Sequence, residues 1–321
     1  MSLKSTELFD KALIEPLNQK ANKLYIVSGY ATAMMAMRHI EFAKRLKKDF
    51  SIRLIVGMCP NDGIEKRNHF AFKELQSKKF GVDFKCNYIV ERPAVHSKVY
   101  AWYRDEKPIV GFVGSANYTQ NAFSNSMKEV LSEESPKECF AYYKSLIGET
   151  VSCSDKSIPD LVEIFERKIV RKPEEATEAQ TAVSSDVTGL PKVTLTLVDN
   201  NGEVPARSGL NWGQREGREH NQAYINIPAE IGRSGFFPDR FENFTIVTDD
   251  NKQIICVRAQ DGGKGLHSTL NNSLLGEYFR FRLGLKNGEF VKKEHLLKYG
   301  RADVTFYKID YENYLMDFSV H

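Results

Sequence analysis

The chain has 321 residues, 41% apolar and 27% charged, with a formal net charge of +3. That length accommodates two domains, and the balance of side chains excludes a largely disordered polypeptide. No run of about 18 apolar residues occurs, and Lys4, Glu7, Asp10, Lys11 and Glu15 stand where a signal-peptide apolar stretch would lie, so a cytoplasmic protein with no membrane partner is expected. Cys59, Cys86, Cys139, Cys153 and Cys256 are odd in number and form no CxxC pair, which argues for reduced thiols and against a disulfide framework or a zinc site. Basic and acidic residues number 26 and 21 over 1–170 and 17 and 17 over 191–321. Any nucleic-acid binding must therefore come from local clusters of Lys and Arg.

In chain order, Leu8, Ala12, Leu13 and Leu17 fall at helical spacing, and Leu24-Tyr25-Ile26-Val27 reads as a short buried strand. A helix over Met34 to Leu46, a strand over Ile52 to Val56, a helix over Phe70 to Lys78 and a strand over 82–90 continue the alternation. Strands 95–103 and 108–113 follow, joined by the polar segment Arg104 to Pro108, and helical patterns return at 136–148 and 159–169. Residues 1–170 thus read as an α/β domain. The stretch 171–191, dominated by Pro, Glu, Thr, Gln and Ser, reads as a linker. From 192 to 321 the texture changes to short strands at 192–198, 223–227, 244–248, 253–259 and 304–309, with helices near 274–283 and 293–298: a mainly β second domain.

The sharpest local signal is His96-Ser97-Lys98 on what reads as a strand, where residues two apart share a face. An imidazole and an ammonium then sit side by side. Gly114-Ser115-Ala116-Asn117 closes the next strand, and Glu129 lies twelve residues beyond Asn117. HxK, then GSxN, then an acid resembles the phospholipase D superfamily, which implies a mixed sheet flanked by helices and a phosphodiesterase. By that resemblance His96 is the nucleophile that forms a phosphohistidine. Lys98 would supply fixed positive charge to the nonbridging oxygens, and Ser115 and Asn117 would donate hydrogen bonds to the phosphate. Glu129 would hold the imidazole in the needed tautomer, against the alternative of a surface residue before Val130-Leu131.

Two departures from the superfamily pattern carry information. Where the full motif has Asp five residues after its Lys, this chain has Tyr103, with Asp105 two residues out of register, which puts the lipid-hydrolysing branch in doubt. The mechanism also uses two histidines, and His39, His69, His220, His267 and His295 lack a Lys two residues on. A twofold homodimer through the catalytic domain, with two His96 residues meeting at one centre, solves this. No metal and no cofactor is expected. Pro159-Asp160 with Glu166-Arg167-Lys168 superficially matches a metal-dependent PD-ExK nuclease, but Leu161, Ile164, Phe165 and Ile169 fit an amphipathic helix instead.

In the second domain, residues 207–222 concentrate Arg207, Asn211, Trp212, Gln214, Arg215, Arg218 and Asn221 between glycines. These side chains suit paired hydrogen bonds to guanine and adenine edges, and equally a solvated loop pinned by Trp212. Arg258, Gln260, Lys264, Asn271 and Asn272 lie in a second glycine-rich stretch, so two arms could grip one groove. The blocks Leu275 to Arg280 and Tyr299 to Val304 read as scaffold, aromatics inside and charges at the rim.

These blocks, with the HxK and GSAN half, resemble the NgoFVII-type restriction endonucleases over nearly the whole chain. The resemblance implies a catalytic domain over 1–170 and, over 192–321, a DNA-recognition domain related to the plant B-three pseudobarrel whose two loops enter the major groove. It further implies sequence-specific, metal-independent cleavage of double-stranded DNA, with a cognate DNA methyltransferase as a candidate partner. The alternatives are a phospholipid phosphodiesterase, a repair nuclease with little sequence preference, and a non-catalytic DNA-binding protein.

Overall fold

A computed structural model describes residues 2–77, 83–124, 127–165, 187, 189–250, 252–259, 261–269 and 272–320. The chain divides into two compact units, Met1–Lys168 and Ile169–His321. Most of the expected linker 171–191 lies outside the described residues. Among the described residues no helix is long and apolar enough to cross a membrane, and all five cysteines are buried and free.

The first unit is built on β1 (Leu3–Lys4), β2 (Lys23–Ser28), β3 (Ser51–Val56), β4 (Ile64–Glu65), β5 (Asp83–Ile89), β6 (Lys98–Arg104), β7 (Lys107–Gly114), β8 (Leu131–Glu134), β9 (Thr150–Ser152) and β10 (Ile164–Phe165). Eight of them form one mixed sheet in the order β1-β8-β7-β6-β2-β3-β5-β9. β2, β3 and β5 run parallel and β6 returns antiparallel beside β2. The inner strands are buried almost end to end, as a sheet covered on both faces requires. Helix α1 (Glu15–Asn18) precedes β2. Helix α2 (Ala33–Arg45) starts where the Thr32 hydroxyl accepts from Met35 N, and α4 (Lys66–Gln76), after the short α3 (Cys59–Asp62), where the Glu65 carboxylate accepts from Asn68 N. Helix α5 (Pro136–Leu146) buries Cys139, Tyr143 and Leu146 in a cluster with Val27, Ile55, Ile89 and Val99.

His39 of α2 is fully buried, one ring nitrogen 3.0 Å from the Tyr118 hydroxyl and the other 3.1 Å from the Leu13 carbonyl. A neutral ring satisfies both, donating to the carbonyl and accepting from the hydroxyl. Burial pushes its pKa from 6.5 down to about 3. Unfolded chains bind that proton below 6.5 while the folded ring refuses it, so stability is complete above 6.5 and is lost as pH falls toward about 3. Urea midpoints across this window should fall less steeply for His39→Asn, which cannot titrate, than for the unaltered chain.

One expected helix is not formed. Over 159–169 the described residues give a single turn, α6 (Ile158–Leu161), and then the extended Val162 leads into β10, which pairs in parallel with β4. The apolar spacing that suggests a helix instead places Ile164 and Phe165 in a strand pair. Gly63 permits this: its φ is +66° and a Cβ there would lie 2.5 Å from the Glu163 carbonyl oxygen. The helix therefore gives no ground over 162–165 for setting PD-ExK aside, and Glu166, Arg167 and Lys168 lie outside the described residues.

The second unit contains β11 (Lys192–Thr196), β12 (Ile225–Asn226), β13 (Asn243–Thr248), β14 (Gln253–Ala259), β15 (Gly265–Ser268), β16 (Asp303–Lys308) and β17 (Asn313–Asp317) in the order β11-β16-β17-β13-β14-β15-β12. All pairings are antiparallel except β13 with β17. The edge strands β11 and β12 approach each other, so the sheet nearly closes into a barrel. Phe237, Phe244, Phe306 and Tyr314 pack ring against ring inside it. Among the described residues the α-helices of the unit are α7 (Ala229–Arg233), α8 (Leu274–Arg282) and α9 (Lys293–Tyr299). Arg280 on α8 is not a rim charge as expected but fully buried, donating to the carbonyls of Glu289, Gly276 and Leu210.

Candidate functional site

The register of the β6–β7 hairpin, Val99 opposite Val113, brings the residues just before 99 and just after 113 to one edge of the sheet. That edge adjoins the carboxyl end of β2, because Lys98 pairs with Ser28. His96 lies two residues before β6 rather than inside it, yet Ser97 turns away to Tyr142 while His96 and Lys98 meet. The shared face expected from a strand therefore holds.

Lys98 Nζ stands 3.1 Å from His96 Nε2 and donates to the His96 carbonyl oxygen at 2.7 Å. An ammonium can only donate, so Nε2 accepts and the ring proton sits on Nδ1. Lys98 is buried and His96 exposed. Burial pushes the Lys98 pKa below the ordinary lysine value, and the neighbouring Glu129 charge pulls it part of the way back. Asn117 Oδ1 accepts from Tyr30 N at 3.0 Å, which fixes the amide and leaves Nδ2 without a protein acceptor among the described residues. Glu129 accepts from the Ser115 hydroxyl, and Ser115 Oγ accepts from Val130 N at 3.0 Å. The Glu129 hydrogen bond thus goes to Ser115 and not to the imidazole.

Two features of this edge stand outside the HxK and GSxN motifs. The Tyr30 ring meets the His96 ring edge-on at 5.9 Å, and its hydroxyl donates to Asp62. Glycine is required at two strand ends: a Cβ on Gly29 would lie 2.8 Å from His96 Cδ2, and one on Gly57 would lie 2.0 Å from the Val95 carbonyl oxygen. Their signal was available as glycines just after the carboxyl ends of two parallel strands, where sites of α/β sheets gather.

In the second unit the two polar arms separate into distinct roles. Asn211 is 0% exposed; its Nδ2 donates to the carbonyls of Val291 at 2.8 Å and Pro205 at 3.1 Å, and its Oδ1 accepts from Val291 N at 2.8 Å. Asn221 is buried and accepts from Gly288 N at 2.6 Å. Arg258, 6% exposed, donates to the carbonyls of Pro238, Gly232 and Gly263. These three were expected at a groove; they instead satisfy backbone groups that irregular loops leave unpaired. Gln214 Nε2 is likewise engaged by the carbonyls of Gly288 and His220.

Arg207, Arg215, Arg218 and Lys264 are exposed. Arg215 Nε donates to the Arg207 carbonyl at 2.7 Å. Trp212 is half-buried under the Arg218 guanidinium, and Asn272 is half-buried with its carbonyl accepting from Ala223 N at 3.4 Å. Gln260 and Asn271 lie outside the described residues.

The family model for the NgoFVII restriction endonuclease N-terminal PLD domain matches residues 6–160, and that for the NgoFVII C-terminal B3-like DNA-binding domain matches residues 185–310. The chain belongs to the NgoFVII restriction endonuclease family. Its first unit is accordingly a phospholipase D-type nuclease domain and its second a B3-like DNA-binding pseudobarrel. No curated protein sequence matches the chain. Among solved structures, NucT from Helicobacter pylori is 18% identical over 47% of this chain and 97% of its own, with a TM-score of 0.32. Nuc from Salmonella typhimurium, a phospholipase D family member, is 19% identical over 47% and 97%, with a TM-score of 0.33. Polyphosphate kinase from Porphyromonas gingivalis is 12% identical over 49% and 24%, with a TM-score of 0.33.

Within this NgoFVII-family chain, the HxK and GSxN residues meet at one edge of the nuclease sheet, whereas the polar residues of the B3-like domain divide into buried struts and exposed heads. The exposed heads are Arg207, Arg215, Arg218 and Lys264, with Trp212 and Asn272 half-buried.

Proposed function

We propose that the chain is a type II-like restriction endonuclease that cuts double-stranded DNA at a chosen sequence, through a phosphohistidine on His96 and without a metal ion. The observation that carries this reading is the 3.1 Å approach of Lys98 Nζ to His96 Nε2 beside an Asn117 amide with its donor free. A phosphate that draws the ammonium onto a nonbridging oxygen releases the Nε2 lone pair it was holding. Nε2 then attacks phosphorus and the bond to the leaving deoxyribose oxygen breaks. Lys98 and Asn117 Nδ2 stabilise the charge gathering on the phosphoryl oxygens, where a metal ion acts in other nucleases.

The leaving oxygen needs a proton, and a second copy of His96 supplies it if residues 1–170 dimerise about a twofold axis. Water then hydrolyses the phosphohistidine. Glu129 tunes this centre through Ser115 and through its charge near Lys98. Residues 192–321 choose the site, and a cognate methyltransferase would protect the host copies of it. The test is to incubate the protein with plasmid DNA in EDTA and sequence the ends. Discrete ends are expected; random nicks would support a repair nuclease, and loss of cutting in EDTA that magnesium restores would overturn the phosphohistidine route.

A further inference from the structure

We propose that Arg218, held over Trp212, is a preorganised reader of guanine in the major groove, a subsite that rests on the DNA-reading role proposed for the second unit. The guanidinium carbon lies 4.0 Å from the Trp212 ring centroid. Its Nη1 donates to Gln222 Oε1 at 3.0 Å. The indole restrains the guanidinium from one side and the hydrogen bond to Gln222 restrains its rotation. Nε and Nη2 have no protein acceptor among the described residues, so one edge of the fork is free.

The platform beneath is itself fixed. Trp212 lies in the turn Gly209–Gln214, which Asn211 ties to Val291 and Gln214 ties to Gly288. Tyr224 meets the indole edge-on at 5.6 Å and 84°, and His267 lies against it at 6.1 Å. No other arginine of the two arms has this geometry. Arg215 has Nε engaged by a backbone carbonyl, Arg258 is buried on three carbonyls, and the exposed Arg207 guanidinium has no hydrogen-bond partner among the described residues, which suits it to a phosphate.

The chemistry of the free edge selects the base. Guanine presents O6 and N7 side by side in the major groove, two acceptors matched by two parallel N–H groups; adenine presents N7 beside an amino donor, which an arginine fork meets with a clash of hydrogens. A fork already held in place loses less freedom on binding than a mobile one.

The experiment uses the full chain and the duplex it prefers, with each guanine replaced in turn by 7-deazaguanine, which lacks the N7 acceptor. One replacement should weaken binding by the unaltered protein about 5- to 150-fold. Arg218→Ala should weaken binding to the natural duplex by a similar factor and show no further loss at that guanine. Arg218→Lys, which keeps the charge without the fork, should behave like Arg218→Ala, while Arg215→Ala should keep the 7-deazaguanine effect. If Arg218→Ala stays as sensitive as the unaltered protein at every guanine, or Arg218→Lys keeps full discrimination, the subsite is overturned while the DNA-reading role stands. If the unaltered protein prefers no duplex at all, that role fails and the subsite fails with it.

Discussion

His96→Ala is expected to lower DNA cleavage about 10⁴-fold or more, because loss of a covalent nucleophile removes the reaction path and not merely one contact along it. The ring is exposed and lies against Tyr30, Lys98 and the backbone at Gly29, so its removal leaves no buried gap and the thermal midpoint should hardly move. The informative version mixes altered and unaltered chains after co-refolding. If one centre needs two copies of His96, heterodimers are inactive, and activity falls with the square of the unaltered fraction. A linear fall would show that each chain cuts alone and would remove the shared centre. Lys98→Ala should also be severe, but for a different reason: Nε2 loses its 3.1 Å partner and the phosphoryl charge loses its counterion.

How much of this was legible in the sequence depends on whether a feature is local. The αβ alternation over 24–113 follows from periodicity, since each strand and helix is decided within its own window. His96, Lys98, Ser115 and Asn117 could be assembled on paper because a hairpin with a short turn puts them together, and the β6–β7 register does so. The link from Glu129 to Ser115 could not be, because it depends on β8, a four-residue strand of sequence Leu-Ser-Glu-Glu that has no apolar alternation and owes its conformation to pairing with β7 and β1. β17, Asn-Tyr-Leu-Met-Asp, has three consecutive apolar residues and no alternation, because it lies buried between β16 and β13. The helix expected over 159–169 gave way to a long-range pair with Ile64 and Glu65.

The polar arms of the second unit show a different limit. Composition counts amides and guanidinium groups without saying what they donate to. A long irregular loop has few backbone partners of its own, so its buried N–H and C=O groups must be met by side chains. Asn211, Asn221 and Arg258 perform that service, whereas Arg218 retains a free edge. In such a loop, being polar and being available to a ligand are opposed properties.

Asn211→Ala is therefore expected to act on stability and not on base choice. The truncation leaves the Val291 N–H and carbonyl in the interior, and the part-buried Pro205 carbonyl, without the amide that meets them. Each unmet buried group costs on the order of 1 to 3 kcal/mol, so the two Val291 groups together give an expected loss of about 2 to 6 kcal/mol against a domain stability of roughly 5 to 15. The unfolding midpoint of the second unit should fall by about 10 °C or more. DNA binding measured well below that midpoint should weaken equally on the preferred and on random duplexes, because the loss is in the folded fraction and in the rigidity of the turn beneath Trp212. A variant of unchanged stability that lost affinity for the preferred duplex alone would return Asn211 to the groove and require the 209–214 turn to open on binding. Asn211→Asp sharpens the distinction. It keeps the acceptor for Val291 N but replaces the donor facing two carbonyls with a second oxygen, so it should be at least as destabilising as alanine, whereas a base-reading asparagine changed to aspartate would alter which base is preferred.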